Sequence, residues 1–219
     1  PLMPEPPPGT RAHSNWVYGM GKRAAEAALE REGSSRGVPT LALRLPVVQG
    51  EADGSNSGRL WAWLERLQDG GPVLLPEAGV QRVRFVYAGD VAAALVALAE
   101  AAGWPERPAV NFAQPDECTL REFLESVARL AGVPARFVPV GAEALVQSGL
   151  ADTCAPYWGR WCSRPDASHA LVELGLRART LEEYLPAVVQ AHLAHPPAVS
   201  HPGYARRAEE LVLAARLAG

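Results

Sequence analysis

The sequence predicts an α/β chain with a largely parallel sheet, on three observations. Short apolar runs of strand length alternate with helix-length segments. The clearest run, Val38 to Leu45, is continuously apolar enough to suit a strand buried on both faces. Two Thr-x-x-Glu boxes, at Thr119 to Glu122 and Thr180 to Glu183, each open a helix.

Residues 1 to 15 are Pro-rich and lack periodicity, which predicts a loop or extended segment. A helix follows over residues 16 to 32, with small packing surfaces at Ala24, Ala25, Ala27 and Ala28. Gly33 and Ser34-Ser35 are expected to end it. The strand Val38 to Leu45 comes next. Pro46 and the stretch Gln49 to Gly58 read as a long polar loop. Leu60 to Leu67 is an amphipathic helix carrying Trp61 and Trp63. Val83 to Tyr87 reads as the second strand, and Asp90 as the N-cap of a helix from Val91 to Ala102. Ala109 to Phe112 and Phe137 to Val140 supply two more strands, on either side of the helix from Thr119 to Ala131. The Thr180 box starts a helix to about Leu193. Pro196 to Pro202 reads as a linker, and Tyr204 to Leu217 as a last amphipathic helix that docks on its own domain or on a second subunit. The later strands are short, so a smaller mixed region is expected after residue 113. The boundaries are therefore 1–113, 114–195 and 196–219.

An apolar fraction of 48% and a charged fraction of 21% exclude general disorder. A formal net charge of -3 argues against a nucleic-acid partner held by phosphate contacts. No apolar run is long enough for a membrane helix. Cys118, Cys154 and Cys162 are too few and too scattered for a disulfide scaffold or a zinc site, which fits a reducing, cytoplasmic setting. The five histidines show no metal-ligand spacing on one element, so no metal is expected. For His192 and His195, interaction with a helix C-terminus is the preferred reading. Tyr157, Trp158 and Trp161 are expected to pack within the second region, although they could stack on a base or sugar.

Arginine is abundant, yet Lys22 is the only lysine. It stands four residues after Tyr18, so on a helix the two share a face. A nearby ammonium favours the phenolate and lowers a tyrosine pKa from about 10, which suits proton exchange with a substrate hydroxyl. A lysine can also grip two ribose hydroxyls, a task for which the planar Arg fork is not interchangeable. Gly19 and Gly21 weaken the same turn, as a close approach to the backbone would require.

Five stretches, in order, resemble the second half of an extended short-chain dehydrogenase/reductase, the family of NAD(P)-dependent nucleotide-sugar epimerases and dehydratases. They are Tyr18 to Glu26 (YGMGKRAAE), Leu43 to Gly50 (LRLPVVQG), Arg84 to Ala92 (RFVYAGDVA), Val110 to Phe112 with Thr119 to Glu122, and Asp166 to Ala170 with Leu174 to Leu176 and the Thr180 box. The resemblance covers about residues 14 to 193. It implies part of a doubly wound Rossmann-like parallel sheet, plus a smaller mixed α/β cap region that binds substrate.

By this resemblance Tyr18 is the catalytic acid/base, and Lys22 binds the nicotinamide ribose. Pro46 and Val48 contact the nicotinamide of NAD or NADP. Val47 and Arg84 face the substrate, with Arg82 as the alternative phosphate contact and a solvated strand edge as the plainer role for either arginine. Asp90 is a structural helix cap. The substrate carries a secondary alcohol or ketone, as a nucleotide sugar does, and a homodimer is expected. The sequence departs from the family pattern in lacking the Gly-rich dinucleotide loop and the catalytic Ser/Thr upstream of the tyrosine, and in placing Val47 where sugar-nucleotide enzymes often carry Asn. The expectation is that the chain is the C-terminal part of a longer polypeptide. A non-catalytic binding protein on the same scaffold is the alternative.

Overall fold

The structure is a computed structural model that describes residues 4–51, 58–101, 103, 105, 107–151 and 164–218. The first helix, α1, spans Arg11–Arg36. It starts inside the segment read as a loop because Thr10 supplies an N-cap: its hydroxyl accepts the His13 N–H at 3.1 Å. It runs through the expected stop at Ser34-Ser35, where Ser35 donates its hydroxyl to the Glu32 carbonyl at 2.9 Å. Gly37, with φ 65, takes the left-handed conformation that ends the helix.

Beyond it come β1 (Ala42–Arg44), β2 (Val47–Gln49), α2 (Arg59–Gln68), β3 (Val73–Pro76), β4 (Arg82–Val83), β5 (Phe85–Tyr87) and α3 (Ala88–Glu100). The chain continues through β6 (Ala109–Asn111), β7 (Cys118–Thr119), α4 (Leu120–Ala131), β8 (Phe137–Val140) and α5 (Ala142–Gln147). It ends with α6 (Leu181–Ala194) and α7 (Arg207–Ala218). Both Thr-x-x-Glu boxes close as expected: Glu122 accepts from the Thr119 N–H at 2.7 Å and Glu183 from the Thr180 N–H at 2.6 Å. No helix among the described residues is long and apolar enough to cross a membrane.

Among the described residues the strands pair two by two. Three pairs are parallel: β1 with β6, β2 with β5, and β3 with β8. The β4–β7 pair is antiparallel. The chain leaving β6 joins two of the parallel pairs. The Phe112 N–H donates to the Arg44 carbonyl, and the Gln114 N–H to the Phe85 carbonyl, each at 2.9 Å. The expected strand Val83 to Tyr87 is broken at Arg84, because its two ends pair with different partners. Part of the expected loop after Pro46 is strand β2, and Val73–Pro76, a short run between two prolines, is a strand that periodicity could not show.

Asp90 is not an N-cap. Helix α3 begins two residues earlier, so Asp90 lies in its first turn and turns inward. Its carboxylate accepts the Arg179 N–H at 2.7 Å and pairs with the Arg179 guanidinium at 3.3 Å, tying α3 to the segment that enters α6.

Two hydrophobic clusters organise the molecule. The larger gathers α2, β3, α4, β8 and α6 around Trp63, Leu64, Leu74, Phe123 and Tyr184. Helix α7 docks on this body through a buried ion network rather than through apolar packing alone. Arg66 donates to Glu210 at 2.6 and 2.9 Å, and both side chains are 1% exposed. Arg207 links Glu210 to Asp69. The smaller cluster joins Val86, Ala94, Leu98, Val110, Phe112 and Ala170. Along α1 Gly33 alone is buried among the residues whose burial is described.

Candidate active site

Helix α1 places Tyr18 and Lys22 one turn apart on one face. The Lys22 ammonium lies 5.4 Å from the centroid of the Tyr18 ring. Tyr18 is 68% exposed. Among the described residues neither the Tyr18 hydroxyl nor the Lys22 ammonium has a hydrogen-bond partner. The pair is therefore assembled and open. The backbone at Gly19 and Gly21 is open too: a Cβ at either position would meet nothing within 4 Å, so the close approach expected there is not made by the described chain.

One turn further along, Glu26 is engaged. Arg44 Nε donates to both Glu26 oxygens, at 3.1 and 3.0 Å, and Nη2 donates to Oε2 at 2.5 Å. The guanidinium beside it holds the Glu26 carboxyl below the usual carboxylate range. This ion pair joins α1 to the end of β1. The chain then passes through buried Pro46 into β2, where Val47 stands opposite Phe85, Val48 opposite Val86, and Gln49 opposite Tyr87. Val48 is exposed, Val47 half-buried, and Gln49 buried. The carboxyl end of β2 thus lies beside that of β5, the edge at which open parallel sheets receive ligands.

At that edge stands a cluster that no spacing along the chain reveals. The Tyr87 hydroxyl donates to Glu51 at 2.5 Å. Its ring stacks on Tyr184, with centroids 5.3 Å apart, and the Arg179 guanidinium lies 4.7 Å from its centroid. The bond to the Glu51 carboxylate holds the Tyr87 proton on and pushes its pKa up. Only the fold brings residues 51, 87, 179 and 184 together. The Glu26–Arg44 pair was also missed, although the i, i+4, i+8 recurrence of Tyr18, Lys22 and Glu26 is a visible signal.

Arg84 is substantially occupied. Its guanidinium donates to the Pro165 carbonyl at 2.9 Å and pairs with Glu117 at 3.1 Å, while Nε is buried without a partner. Arg82 and Arg164 also reach Glu117, at 3.0 and 3.6 Å. The hydrogen bond from Arg82, with the neighbouring positive charges, holds that carboxyl below its usual range.

Among the described residues no group of three or more His, Cys, Asp or Glu is placed to hold a metal ion. His192 is buried on α6, and His195 stands at the C-cap of that helix. Burial pushes the Cys118 thiol up to about 12. Cys154, Cys162, Tyr157, Trp158 and Trp161 lie outside the described residues.

Known proteins bear on the chain in two ways. Residues 4–112 match the NAD dependent epimerase/dehydratase family. No curated protein matches the sequence. Among solved structures, the UDP-glucose 4-epimerase of Thermus thermophilus, in complex with NAD, superposes with a TM-score of 0.62 at 24% identity. The match covers 89% of this chain and 61% of that one. The UDP-glucose 4-epimerase of Thermotoga maritima, with UDP-glucose, gives 0.60 at 20% identity over 81% and 53%. RMD from Pseudomonas aeruginosa, complexed with NADPH, gives 0.58 at 18% identity over 87% and 59%. The chain therefore spans between about half and three fifths of the length of these proteins. They share its fold. By that match, residues 4–112 of the chain belong to the NAD-dependent epimerase/dehydratase family.

Proposed function

We propose that this chain carries the acid/base pair and the substrate-binding region of an NAD(P)-dependent epimerase, dehydratase or reductase. Its substrate has a secondary alcohol or ketone, as in a nucleotide sugar. The observation that carries the reading is the pairing of Tyr18 and Lys22 on one exposed helix face, with both polar groups free of partners among the described residues. A family member needs such a pair at its reacting carbon, and a surface without that task has no need of it.

The free donors of Lys22 fit the hydroxyls of a nicotinamide ribose, and the Tyr18 hydroxyl fits a substrate oxygen. When bound, the nicotinamide supplies hydride exchange. Tyr18 takes the proton from the substrate hydroxyl, or returns it to the carbonyl. The Lys22 charge compensates the negative charge that develops on the Tyr18 oxygen while the proton is in transit. Pro46 and Val48 border the nicotinamide, and Val47 faces the substrate. Arg84, with Arg82 beside it, meets a substrate phosphate by exchanging contacts now made to Glu117. The dimer, built on the small residues of α1, and a cytoplasmic site belong to the same reading.

Calorimetry with NAD and NADP, followed by turnover assays of the native gene product on UDP-sugars, tests it. Micromolar cofactor binding and conversion of a UDP-sugar are expected. The absence of both binding and turnover contradicts the reading and leaves a non-catalytic protein on the same scaffold.

A further inference from the structure

Tyr18, Lys22 and Glu26 recur every fourth residue and form one stripe on α1. The third member of that stripe is bound, through both of its oxygens, to a strand. Arg44 is the last residue of β1 and stands two residues before Pro46. Its own backbone is fixed: Arg44 lies opposite Asn111 in the β1–β6 pair, and its carbonyl accepts the Phe112 N–H. The guanidinium is thus held by a rigid strand end, and it grips the helix in its middle.

Helix α1 also meets the body near its C-terminal end. Gly33 is packed so closely there that a Cβ would come 2.4 Å from Thr40 Cγ2 and 2.7 Å from the Val38 carbonyl. A helix rises about 1.5 Å per residue, so Tyr18 lies about 22 Å from Gly33 but about 12 Å from Glu26. A swing of about 5° about Gly33 would carry Tyr18 about 2 Å, and the same swing about Glu26 about 1 Å. Displacements of that size cost on the order of 10²-fold in rate when they separate reacting groups.

We infer that Glu26 and Arg44 are positioning residues: their bidentate ion pair sets the rotation and tilt at which α1 presents Tyr18 and Lys22 to the segment following β1. The inference rests on the proposed function for its catalytic consequence, but the clamp itself is a statement about the fold. A guanidinium and a carboxylate in this bidentate geometry fix direction as well as distance, which a single lysine contact would not do.

The test compares Glu26→Gln, Arg44→Met and the exchanged pair Glu26→Arg/Arg44→Glu in the full native protein. Amide hydrogen exchange over residues 11–26 is expected to quicken about tenfold in each single variant and to return towards the native rate in the exchanged pair. Turnover of a UDP-sugar is expected to lose about 10- to 100-fold in kcat, with KM and NAD affinity within about threefold, and to recover in the exchanged pair. Native exchange rates in both single variants, or no recovery in the exchanged pair, overturn the clamp. If the native protein neither binds NAD nor turns over, the proposed function fails, and the exchange rates still decide the clamp.

Discussion

The body around α2, α4 and α6 buries Trp63, Leu64, Phe123 and Val188 completely, whereas α1 presents Val17, Tyr18 and Leu29 to solvent and α3 leaves Leu95 and Val96 more than half exposed. The difference extends to polar contacts. In the first region Arg66 and Glu210 are fully enclosed, so their charges must satisfy each other. In the second, Arg44 and Glu26 pair at the surface, where the gain lies in direction more than in stability. Among the described residues β1 has a partner on one edge only, β6. The dense region completes its own core, and the thin one carries Tyr18 and Lys22, the pair proposed to act on substrate. A helix that presents reacting side chains cannot bury the same face.

The large stability effects belong to the dense region. Arg66→Ala strands Glu210 in the interior, with Arg207 as its remaining partner, and should cost about 3 kcal/mol in denaturant unfolding, the lower end for breaking a buried pair. A loss under about 1 kcal/mol would mean that the network is not what docks α7. The apolar contrast follows. Phe123→Ala should cost about 3–5 kcal/mol through the cavity it leaves, while Leu29→Ala, on the exposed face of α1, should stay within about 0.5 kcal/mol. Equal costs at the two positions would erase the comparison.

Smaller changes sharpen it. Thr180→Ala removes the α6 cap and should cost about 1 kcal/mol by the same measurement. Acid should loosen α7. Burial alone would raise the Asp69 carboxyl, but hydrogen bonds from Arg207, the Gly71 N–H and the Tyr204 hydroxyl hold it below its ordinary value. A carboxylate with a lowered folded-state pKa contributes stability that is present above about pH 4 and is lost as the pH falls through the folded value. Amide protection over residues 201–218, taken relative to the intrinsic exchange rate at each pH, should therefore fall below about pH 4 in the native chain. Asp69→Asn should remove that pH dependence.

Much of the architecture was legible where local chemistry decides it. Thr119 and Thr180 announced two helices, and the apolar runs at residues 109–112 and 137–140 announced two strands. What escaped depends on partners distant in sequence. Arg84 divides a run that looks continuous because Val83 pairs with Cys118 while Phe85 pairs with Val47. Asp90 resembles a cap until Arg179, far along the chain, claims its carboxylate. The start of α1 was obscured by the prolines before Thr10, although that threonine is itself a cap signal. In the candidate site, Tyr18 and Lys22 were legible because a lone lysine at helical spacing from a tyrosine is a local pattern. Glu51, Tyr87 and Arg179 form a constellation that no spacing encodes.

The central claim is that Tyr18 is the proton-transfer group of an NAD(P)-dependent reaction. It is tested most directly by comparing kcat and cofactor affinity of the native gene product with those of Tyr18→Phe, which removes one oxygen from an exposed side chain. The account predicts a loss of at least about 10²-fold in kcat with NAD(P) affinity unchanged within about threefold. Undiminished turnover in the variant would contradict it.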